Sequence, residues 1–597
     1  MIVPMIKYGF LVYHRDFDSF LLRLQELGMV DIVRQSRTIS DGERSLIAQI
    51  GRYNQAIKEL STRQAQGDQE KAVDPEAVLA EYESLVKEKE QVENSIRKST
   101  KEMLDVKPWG KFDVKLISEL AARGLYIKFF VAGEKAMSEF PLDEHPVEII
   151  HTEAGQVYFV WIQHEEQATL AVDAVELKAP TYSYVEKQAE VDGYRLRSEA
   201  INNRINVLAS NIPLLKQKVT DLSNQLEFNS VQLSADRQAE DTVMVLNGWV
   251  PEPRNAEFVD FLQKENIYYV SEKAQKTDDA PILLKNNKFA RLFEPIGSLF
   301  TSPIYGELDL TPLFAPFFMM FFGFCLGDAG YGVVMLIGAQ LLKRKMPKLR
   351  SILSLVQLLA LATIIFGTLT GTLFGVSMVD INLPIIQKFK DLFLEPSQLF
   401  NLALIVGGIQ IVFGMCVKVF NLARMSGWKY SISTIGWLIL LIGTAVIFGL
   451  SQIEGLGVEL FGLAHKIILG VAVVGIFLFN SPGKNPLINV GLGVWDTYNM
   501  ATGLFGDLLS YIRLFALGLS SGILGNVFNS LAFGMAPDIP VVGAIVTAII
   551  LVAGHSINLF MAALGSLVHP MRLIFVEFYK NSGFTGGGKL YQPFKKE

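Results

Sequence analysis

The chain has 597 residues, half of them hydrophobic, and a formal net charge of −6, which suits several domains and points part of the chain toward lipid. From Pro312 onward there are 18 Lys and Arg against 11 Asp and Glu, leaving 36 and 49 for residues 1–311, so a polar front part at −13 precedes an apolar back part at +7. Only Cys325 and Cys416 occur, both in apolar runs, which excludes a disulfide framework and a cysteine-based metal site and reads as packed free thiols.

The opening stretch, MIVPMIKYGFLVYHRD, is too short and too interrupted by Lys7 and Arg15 for a secretory signal, and is expected to be the first strand of a cytoplasmic domain. Residues 1–311 are predicted to form that domain as an α/β two-lobed dumbbell on an antiparallel coiled coil. Its proximal lobe takes 1–40 and 241–297, its arms 43–104 and 188–238, and its distal lobe 105–187. One arm is legible as a seam. Ile201, Ile205, Leu208, Ile212, Leu215, Val219, Leu222 and Leu226 alternate steps of four and three, which demands a covering helix. Pro213 should bend that arm, because it lacks an N–H and crowds the preceding turn. The partner runs from Glu43 to Met103 with a polar break at Gln66–Pro75. Between the arms, LYIKFFVA at 125–132 and QVYFVWI at 156–162 read as strands, and 113–122 as a helix. No metal cluster, nucleophile constellation or phosphate loop stands out in the front part, and the simple reading is an elongated scaffold. The nearest approach to a phosphate-binding loop is GFTGGGKL at Gly583–Leu590, where Leu590 holds the required Ser/Thr position and no strand precedes. ATP chemistry is therefore expected on another chain, with no nucleotide site and no cofactor in this one.

Residues 312–597 are predicted to be an α-helical polytopic membrane domain. Apolar segments long enough for a bilayer occur at 352–379, 398–417, 431–450, 463–480, 488–533 and 540–578. The stretch 312–343 is either one helix or a hairpin broken at Gly327-Asp328-Ala329-Gly330. Loop charge decides: KRKMPKLR at 343–350, the Lys418/Arg424/Lys429 loop and Lys484 are basic, whereas 451–462 and 534–539 carry only acids. The positive-inside tendency puts the basic loops on the cytoplasmic side only if 312–343 crosses twice. About eight crossings with both termini inside follow, the last two helices long and tilted, since 540–578 extends about 58 Å against a core of about 30 Å.

Isolated charges at membrane depth are costly and usually functional. Arg513 lies in DLLSYIRLFALGLSSG with Asp507 six positions earlier and Tyr511 beside it. In the last segment, His555, Asn558, Ser566, His569 and Arg572 fall within about 120° of one helix face, a stripe that wants water or a polar partner. The plainer alternatives are that Arg513 pairs structurally with Asp507, and that Arg572 and Glu577 merely anchor the interface. His555 and His569 make a poor metal site at fourteen residues apart. GDAGYG reads better as a tight helix junction than as an ion ligand.

The chain resembles the membrane-sector subunit of V/A-type ATPases called I in bacteria and archaea and a in eukaryotes. The matching stretches are GWVP at 248–251, PIYGELDLTP at 303–312, FGFCLGDAGYG at 322–332, LLSYIRLFALGL at 508–519, and GHSINLFMAALGSLVHPMRLIFVEF with its GGG and QPF tail. The resemblance implies a non-catalytic stator subunit in which Arg513, in the SYxRL context, faces a rotor ring between two offset half-channels, with Arg572 in HPMRL as a second arginine. It implies as partners the proteolipid c/K ring, E/G-type peripheral-stalk coiled coils on the lobes, the central-stalk collar and lipid, and no nucleic acid, in a prokaryotic cell membrane. Where eukaryotic relatives carry an acid about ten positions before the second arginine, this chain has Ala562, so the luminal route is expected to use His555, Asn558 and His569. A secondary transporter would instead show paired hydropathy repeats, and a membrane scaffold would leave Arg513 without a role.

Overall fold

The structure is a computed structural model that describes residues 1–34, 38–63, 73–141, 145–165, 170, 173–240, 242–378, 393–452, 462–480, 485–535 and 539–596. Contacts divide the chain into two compact units, Met1–Val33 with Ala235–Lys595, and Arg34–Ser234. The first unit begins with strand β1 (Met5–Tyr13), helix α1 (Phe17–Leu27) and the short strand β2 (Asp31–Ile32).

The second unit opens with α2 (Asp41–Ser61), capped by a reciprocal Ser40/Glu43 box, and α3 (Pro75–Val106), capped by Asp74 with proline in its first turn. Then come α4 (Val114–Ala122), β3 (Tyr126–Gly133), α5 (Glu134–Ser138), β4 (Val147–Glu153), β5 (Gln156–Gln163), β6 (Ala174–Leu177), α6 (Tyr184–Leu208) and α7 (Ile212–Gln232). Helix α2 packs on α7 and α3 on α6. The ion pairs Glu81–Arg204, Glu88–Arg197 and Glu102–Lys187 fix α3 and α6 as antiparallel. The seam residues Ile201, Ile205, Leu208, Leu215 and Leu222 are buried with Tyr53, Leu60, Leu79 and Tyr82. The break falls just ahead of Pro213, in the 3-10 turn Ala209–Asn211. Proline excludes a regular turn before it and then sits comfortably in the first turn of α7. The two strand-like runs lie on β3 and β5, paired antiparallel in a four-stranded sheet of order β4-β5-β3-β6. The polar break at Gln66–Pro75 lies mostly outside the described residues.

The chain returns to the first unit through β7 (Asp236–Gln238), β8 (Val243–Pro251), α8 (Asn255–Lys264) and β9 (Tyr268–Lys273). Residues 236–238, placed by sequence at the end of a helical arm, instead pair with β8. The main sheet runs β2-β8-β1-β9, all antiparallel. One face of β1 buries Tyr8 and Phe10 against Phe258 of α8 and Phe20 of α1. Gly248 of GWVP is required here, since a Cβ would stand 2.4 Å from the Val30 side chain and prevent β2 from pairing.

After α9 (Lys288–Ser298) the chain is nearly all helix: α10 (Thr311–Leu326), α11 (Ala329–Lys345) and α12 (Arg350–Leu369), then a small hairpin of β10 (Thr372–Leu373) and β11 (Val376–Ser377). Next are α13 (Pro396–Met425), α14 (Ile432–Ser451), α15 (Leu463–Leu478), α16 (Pro486–Ser510), α17 (Ile512–Gly534) and α18 (Pro540–Arg572). A π-helix at Leu573–Phe578 and the short α19 (Tyr579–Asn581) end the last segment. Among the described residues, five helical stretches are long and apolar enough to cross a membrane: Pro347–Leu369, Pro396–Met425, Trp428–Ser451, Leu487–Gly534 and Val541–Asn581. Thr311–Leu326 and Leu463–Leu478 are apolar but shorter.

The expected apolar run 352–379 does not stay helical. It stops at Leu369 and turns through Gly371 and Gly375, both with positive φ, into the hairpin, since glycine alone adopts those angles without strain. The break between α10 and α11 falls at Gly327, left-handed at φ 54, and Asp328, whose side chain caps α11. Glycine also sets the closeness of the helices. A Cβ on Gly323 would lie 2.7 Å from the Ala362 backbone, and one on Gly367 2.1 Å from the Ala329 nitrogen, the small-residue packing that membrane helices use in place of a hydrophobic drive. The acidic loops at 451–462 and 534–539 and Lys484 lie largely outside the described residues.

Candidate functional site

The apolar segment 488–533 is two helices that meet at Tyr511. The reason is tertiary. Tyr511 is wholly buried, its ring rests where Gly407 of α13 lacks a side chain, and its hydroxyl donates to Gln410 at 2.7 Å. That junction puts Arg513 in the first turn of α17.

Helices α17 and α18 run antiparallel, two contacts fix their register, and a third joins the flanking α16 and α19. Asn529 meets His555 at 3.0 Å, the Ser521 carbonyl takes the Asn558 amide at 3.1 Å, and Asp507 takes the Asn581 amide at 2.8 Å. In each pair the two numbers add to nearly the same value, so Arg513 lies level with His569–Arg572. His569 accordingly lies within electrostatic reach of both guanidinium groups, and Cys325 of α10 within reach of Arg513.

Arg513 is half-buried, and its Nη1 is buried with no hydrogen-bond partner. Among the described residues neither Arg513 nor Arg572 forms an ion pair with a carboxylate. Asp507, the acid offered as a structural partner of Arg513, accepts instead from Lys580 at 3.3 Å and from Asn581. An unpaired guanidinium at membrane depth is expensive and is retained only where something else requires it.

On one side of Arg513 lies a polar network. The Tyr331 hydroxyl meets His555 Nδ1 at 2.7 Å and accepts from the Asn558 amide at 2.8 Å. His555 Nε2 meets Asn529, whose amide donates to the Phe374 carbonyl at 2.7 Å. Asp328 underlies this network. Fully buried, it accepts from the backbone N–H of Gly330, Tyr331, Phe374 and Gly375 at 2.8–3.2 Å. It thereby ties the start of α11 to the hairpin, and with its acceptor capacity so used it serves as a junction rather than a free ligand.

On the other side, Asp507, Tyr511 and Glu577 form a second polar cluster with Gln410, Asn581 and Lys580, buried except for Lys580. Asn581 bridges it, donating to both Asp507 and the Glu577 carbonyl at 2.8 Å. Glu577 sits within the π-helix, is 2 % exposed and has one carboxylate oxygen without a partner, a local irregularity of the kind that recurs at functional sites. Its burial distinguishes it from an interface anchor.

The stripe on α18 is thus divided by the structure. His555 and Asn558 belong to the first network, His569 and Arg572 stand level with Arg513, and Ser566 lies between them, 1 % exposed with an unpartnered hydroxyl. Arg572 is exposed, and Ala562 packs among apolar neighbours. No group of three His, Cys, Asp or Glu side chains placed to hold a metal occurs among the described residues. Sequence reasoning missed Tyr331, Asn529, Gln410, Lys580 and Asn581. A search for polar residues inside apolar runs would have found Asn529 and Gln410, and the three- and four-residue spacing of Lys580 and Asn581 from Glu577 marks one helix face.

No family model matches the chain. It is similar to proteins described as V-type ATP synthase subunit I. That from Borreliella burgdorferi is 27 % identical over 82 % of this chain and 82 % of its own length, and the first such subunit of Treponema pallidum is 26 % identical over 100 % of both. The A-type ATP synthase subunit I of Thermococcus kodakarensis is 31 % identical over 59 % of this chain and 54 % of its own length. Among solved structures, the cytoplasmic N-terminal domain of a V-ATPase subunit I, homolog of subunit a, matches with a TM-score of 0.20 and 13 % identity, covering 45 % of this chain and 100 % of that one.

Proposed function

We propose that this chain, which resembles V/A-type ATP synthase subunit I from end to end, is the stator of a rotary ATPase membrane sector and forms the ion path past a turning ring. The supporting observation is the unpaired Arg513 guanidinium standing between two separate polar clusters. At 1.5 Å per residue, Ser521 of the first network lies about 12 Å along α17 from Arg513, and Asp507 of the second lies on α16, across the break at Tyr511.

Each cluster serves as the inner end of one half-channel: Tyr331, His555, Asn558 and Asn529 on the luminal side, and Asp507, Tyr511, Glu577 and Asn581 on the cytoplasmic side. Ser566 and His569 line the gap between them, and Arg572 adds a second cation on its cytoplasmic flank. The guanidinium of Arg513 supplies a fixed positive charge. A carboxylate on a neighbouring ring at 4 Å gains about 4 kcal/mol in its ionised form at an effective dielectric of 20, which lowers its pKa by about three. Passing the arginine therefore forces the ring acid to unload, and the same charge repels a cation moving directly between the half-channels. Which cation is carried, H⁺ or Na⁺, is set mainly by the ring.

Eight crossings with both termini cytoplasmic follow if α10 and α11 form a pair of short crossings. The front domain, with its proximal and distal lobes and coiled-coil arms, then binds E/G-type peripheral-stalk coiled coils and the central-stalk collar and resists torque. Cysteine substitutions at Asn529 and Asn581, probed with a membrane-impermeant thiol reagent from each side, test the two-channel reading. Labelling of the two positions from opposite faces is expected, and labelling of both from the same face would overturn it. The loops at 343–350 and 451–462 should likewise label from opposite sides.

A further inference from the structure

Helices α13, α14, α15 and α16 close a ring in which each touches the next. One end of that ring holds a polar cavity of about 400 Å³ that none of the roles above uses. Its inner wall carries Lys418, half-buried on α13, with Thr434 and Trp437, both buried, from α14. Tyr430, Asn499 and Lys580 complete the lining.

Of the two lysines that line it, one is in contact with a carboxylate. Lys580 is engaged by Asp507. The lining acid Asp496 takes the Asn480 amide at 2.5 Å and forms no ion pair with Lys418. Lys418 itself has no hydrogen-bond or ion-pair partner among the described residues. Around this ammonium the lining is rich in donors: the Tyr430 and Ser433 hydroxyls, the Trp437 indole and the Asn499 amide. A half-buried ammonium with hydroxyl, indole and amide donors beside it, and the Asp496 carboxylate within electrostatic reach but not in contact, suits an anion with several acceptor oxygens.

We propose that this cavity binds a phosphate group, and that the group is the phosphodiester of an anionic lipid. Of the two lining lysines, Lys418 alone has no carboxylate in contact, and a singly charged phosphodiester suits it. The surroundings favour lipid over a soluble ion. Phe420, two residues beyond Lys418, and Trp428, two before Tyr430, are 68 % and 67 % exposed, aromatic rings of the kind that sit at headgroup level. Basic recesses between membrane helices recognise anionic headgroups by this chemistry.

The test is lipid binding by the full-length chain in detergent, titrated with dioleoylphosphatidylglycerol or dioleoylphosphatidylcholine and read by native mass spectrometry. Phosphatidylglycerol is expected to bind more tightly than phosphatidylcholine. Lys418→Gln should weaken it about tenfold to a hundredfold, the loss of one charge-assisted hydrogen bond. Tyr430→Phe, which leaves the packing intact, should weaken it about fivefold. Lys348→Gln, in a basic loop outside the cavity, should leave it unchanged. Displacement of the lipid by inorganic phosphate would confirm the phosphate site; binding of inorganic phosphate without phosphatidylglycerol would overturn the lipid source. Equal phosphatidylglycerol affinity in the parent and both cavity variants, or an equal loss in Lys348→Gln, would overturn the proposal. The readout does not involve ion pumping, so it stands or falls apart from the half-channel reading.

Discussion

Replacing Tyr331 with phenylalanine removes a single oxygen from the centre of the network it forms with His555, Asn558 and Asn529. The ring contacts remain, with Phe374 and His555 both at 5.8 Å between centroids, so cavity formation contributes little and the change isolates hydrogen bonding. Two bonds are lost, those to His555 at 2.7 Å and from Asn558 at 2.8 Å. Neither partner is stripped bare, because His555 keeps Asn529 and Asn558 keeps the Ser521 carbonyl. Side-chain hydrogen bonds between membrane helices contribute about 0.6 kcal/mol on average and up to about 1.7, so Tyr331→Phe should cost about 1–3 kcal/mol. Denaturant unfolding of the purified chain in mixed micelles measures it. In a double-mutant cycle with the near-isosteric Asn558→Leu, the coupling should fall at about 0.6–1.7 kcal/mol. A coupling within about 0.3 kcal/mol of zero, the level found for independent sites, would refute the network as drawn.

Gly367→Ala should block assembly of the α11–α12 pair, because its Cβ would meet backbone at 2.1 Å, whereas Gly338→Ala, with nothing within 4 Å, should be neutral or stabilising; folded yield of the two variants checks this. In the cluster around Asn581, Asp507→Ala should cost about 1–3 kcal/mol by leaving the buried Asn581 amide short of an acceptor. Lys580→Gln should cost under about 1 kcal/mol, since its side chain is 56 % exposed, and thermal unfolding giving the reverse order would contradict the assignment. In the coiled coil, the Tyr82 hydroxyl donates to Glu59 at 2.6 Å and holds that carboxyl below its ordinary 4.5 against a smaller opposing effect of burial. A folded-state value below the unfolded one means that the pair's stabilisation is present above pH 4.5 and is lost as pH falls below it through the folded value. Circular dichroism of Tyr82→Phe through that range should show a shallower acid-side loss than the parent.

Much of this arrangement was legible in the sequence, for local reasons. The seam from Ile201 to Leu222 and the Gly327-Asp328 break both depend on residues within a turn or two of one another. Arg513 was conspicuous because a charge in an apolar run has few structural explanations. What stayed hidden depends on distant partners. The helix break at Tyr511 is created by Gln410 and Gly407, about a hundred residues away. The hairpin at 372–377 reads as the tail of an apolar helix until Asp328 is seen to hold its two amide groups. Asp507 was the plainer alternative as a partner for Arg513, yet the two lie on different helices either side of the break at Tyr511, and Lys580 and Asn581 take it instead.

The most direct measurement of the barrier is ion pumping by the assembled complex in sealed vesicles, parent against Arg513→Ala, with subunit content determined on the same preparation. Because Arg513 has no carboxylate partner among the described residues, its removal leaves no buried acid uncompensated. A complex of normal composition that no longer pumps is the expected result. Pumping at the parental rate by a fully assembled Arg513→Ala complex would contradict it.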